Sequence, residues 1–432
     1  MRFNLKYKLL FGFLLLSFSV NFLIYCKSEI KQEVAENKTA VVPLDSTDKT
    51  KQDAKNNLKD LSDVFKLHYD AIVIDTHNDF LYQVFNKGAD LGRKDNFTNS
   101  GLPRFTEGGV DMQVFAVWIP GSESKRAFAF ANEQIARLKD FESKYSNDFE
   151  IAYCYDDVVR IMNAKKFCGM LGIEDGVAVL GDVDNLNKLY DAGVRYIGLT
   201  WNKSNKIGSS ARDESEKGTG NGLTDFGKQV VTRMEELGML VDVSHSGEKT
   251  FWDVIELSNN PVIASHSNCY ALNPHYRNLK DDQIVAIAKT NGVIMVNFLD
   301  DFINENGKFN RVANYNARYG KELNKLYNEY KDDLVMFNVK RFEFMKSHPI
   351  EGGTSLDDLI DHIDHIKSLV GVDHIGIGSD FDGGIVAPNE IYDATCYPVI
   401  TARLWERGYK EDEIRKILGE NFLRVLKQVC RK

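Results

Sequence analysis

Five segments of this 432-residue chain carry side chains able to bind metal or move protons, each at the close of an apolar run. In Ile74-Asp75-Thr76-His77-Asn78-Asp79, His77 and Asp79 stand two apart, so on a strand they project to one side. That pair offers an imidazole nitrogen and a carboxylate oxygen to one cation; the competing reading is a polar pair in the following loop. Asp75 shares their parity and could support them from behind. Glu174 closes Gly169-Met170-Leu171-Gly172-Ile173-Glu174. A carboxylate at the end of so apolar a run must be paired or bound, and its two oxygens can bridge two cations. His245 follows Leu240-Val241-Asp242-Val243-Ser244, and His266 follows Val262-Ile263-Ala264-Ser265. Either alone reads as a satisfied core histidine, whereas as members of a set they read as ligands. Three His, one Asp and a bridging Glu suit two Zn²⁺ ions, which in such pairs sit about 3.5–4 Å apart, lower the pKa of a shared water and polarise a carbonyl. Asp380, in Gly376-Ile377-Gly378-Ser379-Asp380-Phe381-Asp382-Gly383, is suited to carry that water's proton, with a helix N-cap as its structural alternative. Asp382, followed by Gly383-Gly384, reads as a turn residue.

Positioning these groups requires several strand ends to meet. Apolar runs recur over 71–79, 109–119, 168–174, 194–201, 239–245, 261–266, 292–298 and 374–380. Amphipathic segments such as 126–145, 224–237 and 281–289 lie between them. Continuous apolar strands alternating with helices imply a parallel sheet covered on both faces. Eight such units predict an α/β fold of the (β/α)8 barrel type, whose active sites gather at the carboxyl ends of the strands. A helical insert over 314–346 precedes the last strand, and residues 60–432 read as one domain.

From about residue 65 to 430, the chain resembles the membrane (renal) dipeptidase family, metal-dependent hydrolases built on a (β/α)8 barrel. The resemblance rests on the landmarks at 74–79, 172–176, 241–246, 264–267 and 378–383. It implies that His77 and Asp79 hold one zinc, that His245 and His266 hold the other, and that Glu174 bridges them. It also implies that Asp380 passes the proton to the leaving amine. Arg277, in Tyr276-Arg277-Asn278-Leu279, matches the family arginine that grips the substrate's terminal carboxylate; a surface salt bridge is its competing reading. One position departs from the pattern. Trp201 follows Leu199-Thr200 where several members carry a His that helps bind the reacting carbonyl. An indole N–H or an apolar face must then replace the imidazole, or the substrate differs. The implied reaction is hydrolysis of dipeptides, with D-residues admitted at the C-terminal position. A hydrolase of lactones or β-lactams using the same metals is the alternative, and an inactive solute-binding lipoprotein is a further one.

Composition narrows the partners. Lys and Arg total 54 against 63 Asp and Glu, a formal charge of −9 without a basic block, so no nucleic-acid partner is expected. The six cysteines (26, 154, 168, 269, 396 and 430) include no C-x-x-C pair, which excludes a zinc-finger pattern and a dense disulfide framework. Arg2, Lys6 and Lys8 precede an uncharged run over 9–25, which reads as an export leader. Leu23-Ile24-Tyr25-Cys26 resembles a bacterial lipoprotein signal, although Tyr25 stands where that signal has a small residue. The expectation is a lipidated Cys26, a polar tether over 26–59, and a catalytic body exported to the cell envelope and held at a membrane. A homodimer is compatible with this picture.

Overall fold

Each of the eight apolar runs contains a strand. In a computed structural model, residues 59–218 and 220–430 are described; the leader over 1–25 and the tether over 26–59, save Lys59, lie outside them. The strands are β1 (Ile74–Asn78), β2 (Met112–Val117), β3 (Phe149–Ile151), β4 (Phe167–Ile173), β5 (Val194–Gly198), β6 (Leu240–Asp242), β7 (Val262–Ala264), β8 (Val293–Val296) and β9 (Ile375–Ile377). All pairs are parallel, in the order β1-β2-β4-β5-β6-β7-β8-β9. The first and last strands meet only at their carboxyl ends, where Asn78 bridges Phe381 and the Asp79 N–H donates to the Phe381 carbonyl at 2.9 Å. The result is a nearly closed eight-stranded barrel of the (β/α)8 type.

The ninth strand, β3, lies outside the eight apolar runs. β3 is only three residues long, and it pairs with the first half of β4 (Phe149 beside Phe167, Ile151 beside Gly169). β5 joins β4 only from Leu171 onward, so β3 covers an edge that would otherwise be unpaired.

Alternation along the strands divides the core. Met112, Val114, Cys168, Met170, Leu240, Ile263, Val293 and Met295 pack inside the barrel, while their neighbours Phe115, Val117, Leu171, Ile173, Val241, Ile294 and Val296 face the surrounding helices. The interior cluster continues into Phe422, Val425, Leu426 and Val429 of the last helix, Asn421–Val429. Arg424 of that helix donates to the carbonyls of Asn291 and Asp373, just before β8 and β9, so the helix fills the amino end of the barrel. The insert between β8 and β9 forms two helices, Tyr315–Tyr330 and Leu334–Ser347, and Phe342 of the second meets Phe65 edge to face at 6.3 Å. The five cysteines among the described residues are all buried and unbridged.

Candidate metal centre

The opposite, carboxyl end of the barrel is polar. His77 lies within β1, and Asp79 directly follows the strand. Glu174 follows β4 by one residue, His266 follows β7 by two, and His245 and Asp380 each lie three beyond β6 and β9. The last two leave the strand line through left-handed backbone, φ 67° for His245 and 64° for Asp380. Such a conformation is costly for a residue with a Cβ and persists only when its surroundings enforce it. Around His245 they do: its carbonyl accepts from the Ala211 N–H at 2.8 Å and the Thr200 hydroxyl at 3.1 Å.

The side chains converge. Glu174 Oε1 lies 3.1 Å from His245 Nε2 and 3.7 Å from His266 Nε2, and those two nitrogens are 3.1 Å apart. Glu174 Oε2 lies 3.5 Å from His77 Nε2. Four ligands at about 2.0–2.1 Å around a tetrahedral zinc stand about 3.3 Å from one another, so these spacings match the edges of such a polyhedron. Ligand atoms of His77, Glu174 and His266 fall within 4.8 Å of each other, and so do those of His77, Asp79 and Asp380. Among the described residues His77 Nε2 and Asp79 Oδ1 are buried without a hydrogen-bond partner, an arrangement that a cation would satisfy. The residue set therefore fits metal binding, with His77 common to both groups and Glu174 facing all three imidazoles.

Charge tells the same story. Burial works to lower the His77 imidazole, but the facing carboxylates of Glu174, Asp79 and Asp380 raise it to about 10. Burial works to raise Glu174, yet the His77 and His245 imidazoles hold it down to about 2. Asp79 is pushed well up by burial and by Glu174, and Asp380 to about 6 by burial, with Glu174 adding to it. His245 is lowered to about 3 by burial and by the Arg277 charge. Three carboxylates crowded away from water call for positive charge among them.

Behind these groups stands a layer of partners, of which the sequence singles out Asp75 and Asp382 but not Tyr196, Ser265 or Asp242. His77 Nδ1 meets the Tyr196 hydroxyl at 3.0 Å, and that hydroxyl donates to the Thr76 carbonyl, also at 3.0 Å. His266 Nδ1 meets Ser265 Oγ at 2.7 Å, and Ser265 donates to Asp242 Oδ2 at 2.6 Å. Asp242 also accepts from the backbone N–H groups of Ser244 and Ser265. Asp75 does not touch the His77 ring; it accepts from the N–H of His77 and Ser379 and from the hydroxyls of Ser379 and Tyr397. Asp382 braces a loop through the Ser100 hydroxyl and the Asn99 N–H.

Arg277 is not a surface residue. It is 4% exposed, donates only to the Ser267 hydroxyl (3.4 Å) and the His266 carbonyl (3.2 Å), and lies over the Phe302 ring. Among the described residues its Nε has no partner and no carboxylate pairs with it. Across the mouth, Tyr82, Trp118 and Trp201 form an edge-to-face ladder (4.7 and 5.1 Å between ring centroids), and Trp201 ends 6.2 Å from the His245 ring. Asn297 donates to Asp380 Oδ2 at 3.0 Å. Of the remaining histidines, His362 serves packing, accepting from the Cys269 N–H and meeting the Ile303 carbonyl.

A barrel with such a mouth defines a metal-dependent hydrolase. Residues 61–431 match the membrane dipeptidase family, peptidase family M19. An uncharacterized dipeptidase of Schizosaccharomyces pombe, C965.12, is 30% identical over 380 residues, covering 83% of this chain and 80% of that one. The solved structure of dipeptidase AC, a metallopeptidase of family M19, superimposes with a TM-score of 0.69 at 27% identity, covering 83% of this chain and 98% of that one. A metallopeptidase from Rhodobacter sphaeroides, liganded with a phosphinate mimic of L-Ala-D-Ala, gives 0.70 at 26% identity, covering 83% and 100%. The chain belongs to the membrane dipeptidase family of metallopeptidases.

Proposed function

We propose that this metallo-dipeptidase cleaves dipeptides with a free C-terminal carboxylate, including those ending in a D-residue, at a two-zinc centre. His77 and Asp79 would hold one ion, His245 and His266 the other, and Glu174 would serve both. The observation that carries the reading is Arg277, a buried guanidinium with no carboxylate partner among the described residues, directly behind His266. A buried cation needs an anion, and a guanidinium fork fits a substrate carboxylate in two-point contact. When bound, the ions supply a water of lowered pKa and an electrophile for the scissile carbonyl. Asp380, raised to about 6 and oriented by Asn297, accepts a proton from the attacking water and returns it to the departing nitrogen. Trp118 and Tyr82 follow β2 and β1, on the far side of the ring from the β7 loop that carries Arg277, and Trp201, after β5, extends their ladder toward His245. They offer the N-terminal side chain of the substrate an apolar wall, which is the role of Trp201 in place of an imidazole. The phosphinate mimic of L-Ala-D-Ala bound by the R. sphaeroides relative supports admission of D-residues.

The test measures metal content and turnover of Gly-D-Ala and L-Ala-D-Ala by purified protein, with lactones and carbapenems alongside. Two zinc ions per chain and faster cleavage of the dipeptides are expected; faster turnover of every non-peptide overturns the reading. We further propose that a leader over 1–25 exports the chain and that a lipid on Cys26 anchors the body through the tether. Cys26→Ala should move the protein from the membrane to the soluble fraction.

A further inference from the structure

Resting on the reading that these imidazoles hold metal, we infer that Tyr196 and the Ser265–Asp242 pair are positioning residues that lock His77 and His266 in the tautomer a metal needs. A hydroxyl has one proton to give. Tyr196 gives its proton to the Thr76 carbonyl, which can only accept, so its oxygen receives the Nδ1–H of His77. The lone pair of His77 is thereby left on Nε2, the atom that faces Glu174. Ser265 gives its proton to Asp242, whose other oxygen already accepts two backbone N–H groups. Ser265 Oγ then receives Nδ1–H of His266, and Nε2 again faces the cluster. The two locks differ in kind. One is a phenol and a carbonyl, the other a hydroxyl backed by a carboxylate. His245 has neither, since its Nδ1 is buried without a partner among the described residues.

The Tyr196 lock depends on a glycine. Tyr196 on β5 lies beside Gly172 on β4 and passes through the barrel interior to reach β1. A Cβ at Gly172 would collide with the Tyr196 ring. The glycine two residues before Glu174 therefore makes room for the ring that orients a histidine on another strand.

The experiment measures zinc affinity by competition with a chelator, together with the unfolding midpoint of the metal-free protein, for the full chain and for Tyr196→Phe, Ser265→Ala and Ser265→Thr. Tyr196→Phe and Ser265→Ala should each weaken zinc binding about ten- to a hundredfold, the usual effect of removing such a partner. Ser265→Thr, which keeps the hydroxyl, should restore it. Unchanged affinity in both deletions overturns the inference while leaving the metal centre standing; a native chain that binds no zinc overturns the metal centre itself. Should Tyr196→Phe fail to fold, nitrogen-15 spectra of the histidine rings in the native zinc-loaded protein decide. Protons on Nδ1 of His77 and His266 are expected. A proton on Nε2 of either ring would mean that its chain of donors runs the other way, and would sink the proposal.

Discussion

At Asp380 a single carboxyl group is proposed to hold a proton beside the candidate metal ligands. Asp380→Asn keeps the shape and the Asn297 contact but removes the basic oxygen, so metal content should stay while kcat falls about 10²–10⁴-fold. Metal analysis and steady-state rates on one preparation check both halves. Trp201 faces a different demand. Trp201→Ala should raise KM about tenfold for dipeptides with a bulky apolar N-terminal residue and leave glycyl dipeptides nearly unaffected, because only the former lose contact with the wall. Equal KM changes for both sets would remove the wall from substrate binding. The chemistry-bearing residue types were legible in the sequence because each closes an apolar run. Their supports were not: Tyr196 acts on a ring 119 residues away, and nothing near it in the chain marks it as different from a core tyrosine. Nor could the sequence separate a buried Arg277 from one on the surface, since its burial depends on the loops carrying Ser267 and Phe302.

The elements were easier to read where length allowed it. Strands such as Val293–Val296 are apolar on both faces, and that is visible without a structure. β3 escaped because three residues with a half-buried Glu150 in the middle make no pattern. The backbone twist that swings His245 and Asp380 inward escaped too, because left-handed φ at a non-glycine residue is imposed by tertiary contacts. The seam between β1 and β9 has few backbone bonds, and Asp75 ties it from within by taking four donors, two of them from Ser379. Asp75→Ala would strand the two N–H groups and the Tyr397 hydroxyl in a buried place, while the Ser379 hydroxyl keeps the His77 carbonyl. The expected loss is about 3–5 kcal/mol, read as a large fall in the denaturation midpoint, whereas an exposed Asp→Ala control should change little.

Across the whole molecule, acid should act through buried neutral histidines far from the mouth. His68 is fully buried between the Thr401 hydroxyl and the Gly108 carbonyl, and burial lowers its pKa from 6.5 to about 4. The unfolded chain takes up this proton below pH 6.5 and the folded chain does not. Its contribution is therefore complete above pH 6.5 and is lost as pH falls toward 4. His68→Gln should flatten the acid limb of the stability curve by about 1.4 kcal/mol per pH unit in that window. An unchanged slope in denaturant titrations would show that the proton enters elsewhere. The helix Asn421–Val429 has a consequence of another kind. It packs into the amino end of the barrel, so substrate and product are both expected to pass the carboxyl end and its aromatic ladder. The freed C-terminal amino acid still bears the carboxylate that Arg277 is proposed to grip, so it should linger and obstruct the next arrival. Progress curves should bend long before substrate is exhausted, and added product amino acid should slow the enzyme competitively; indifference to it would reveal a back exit.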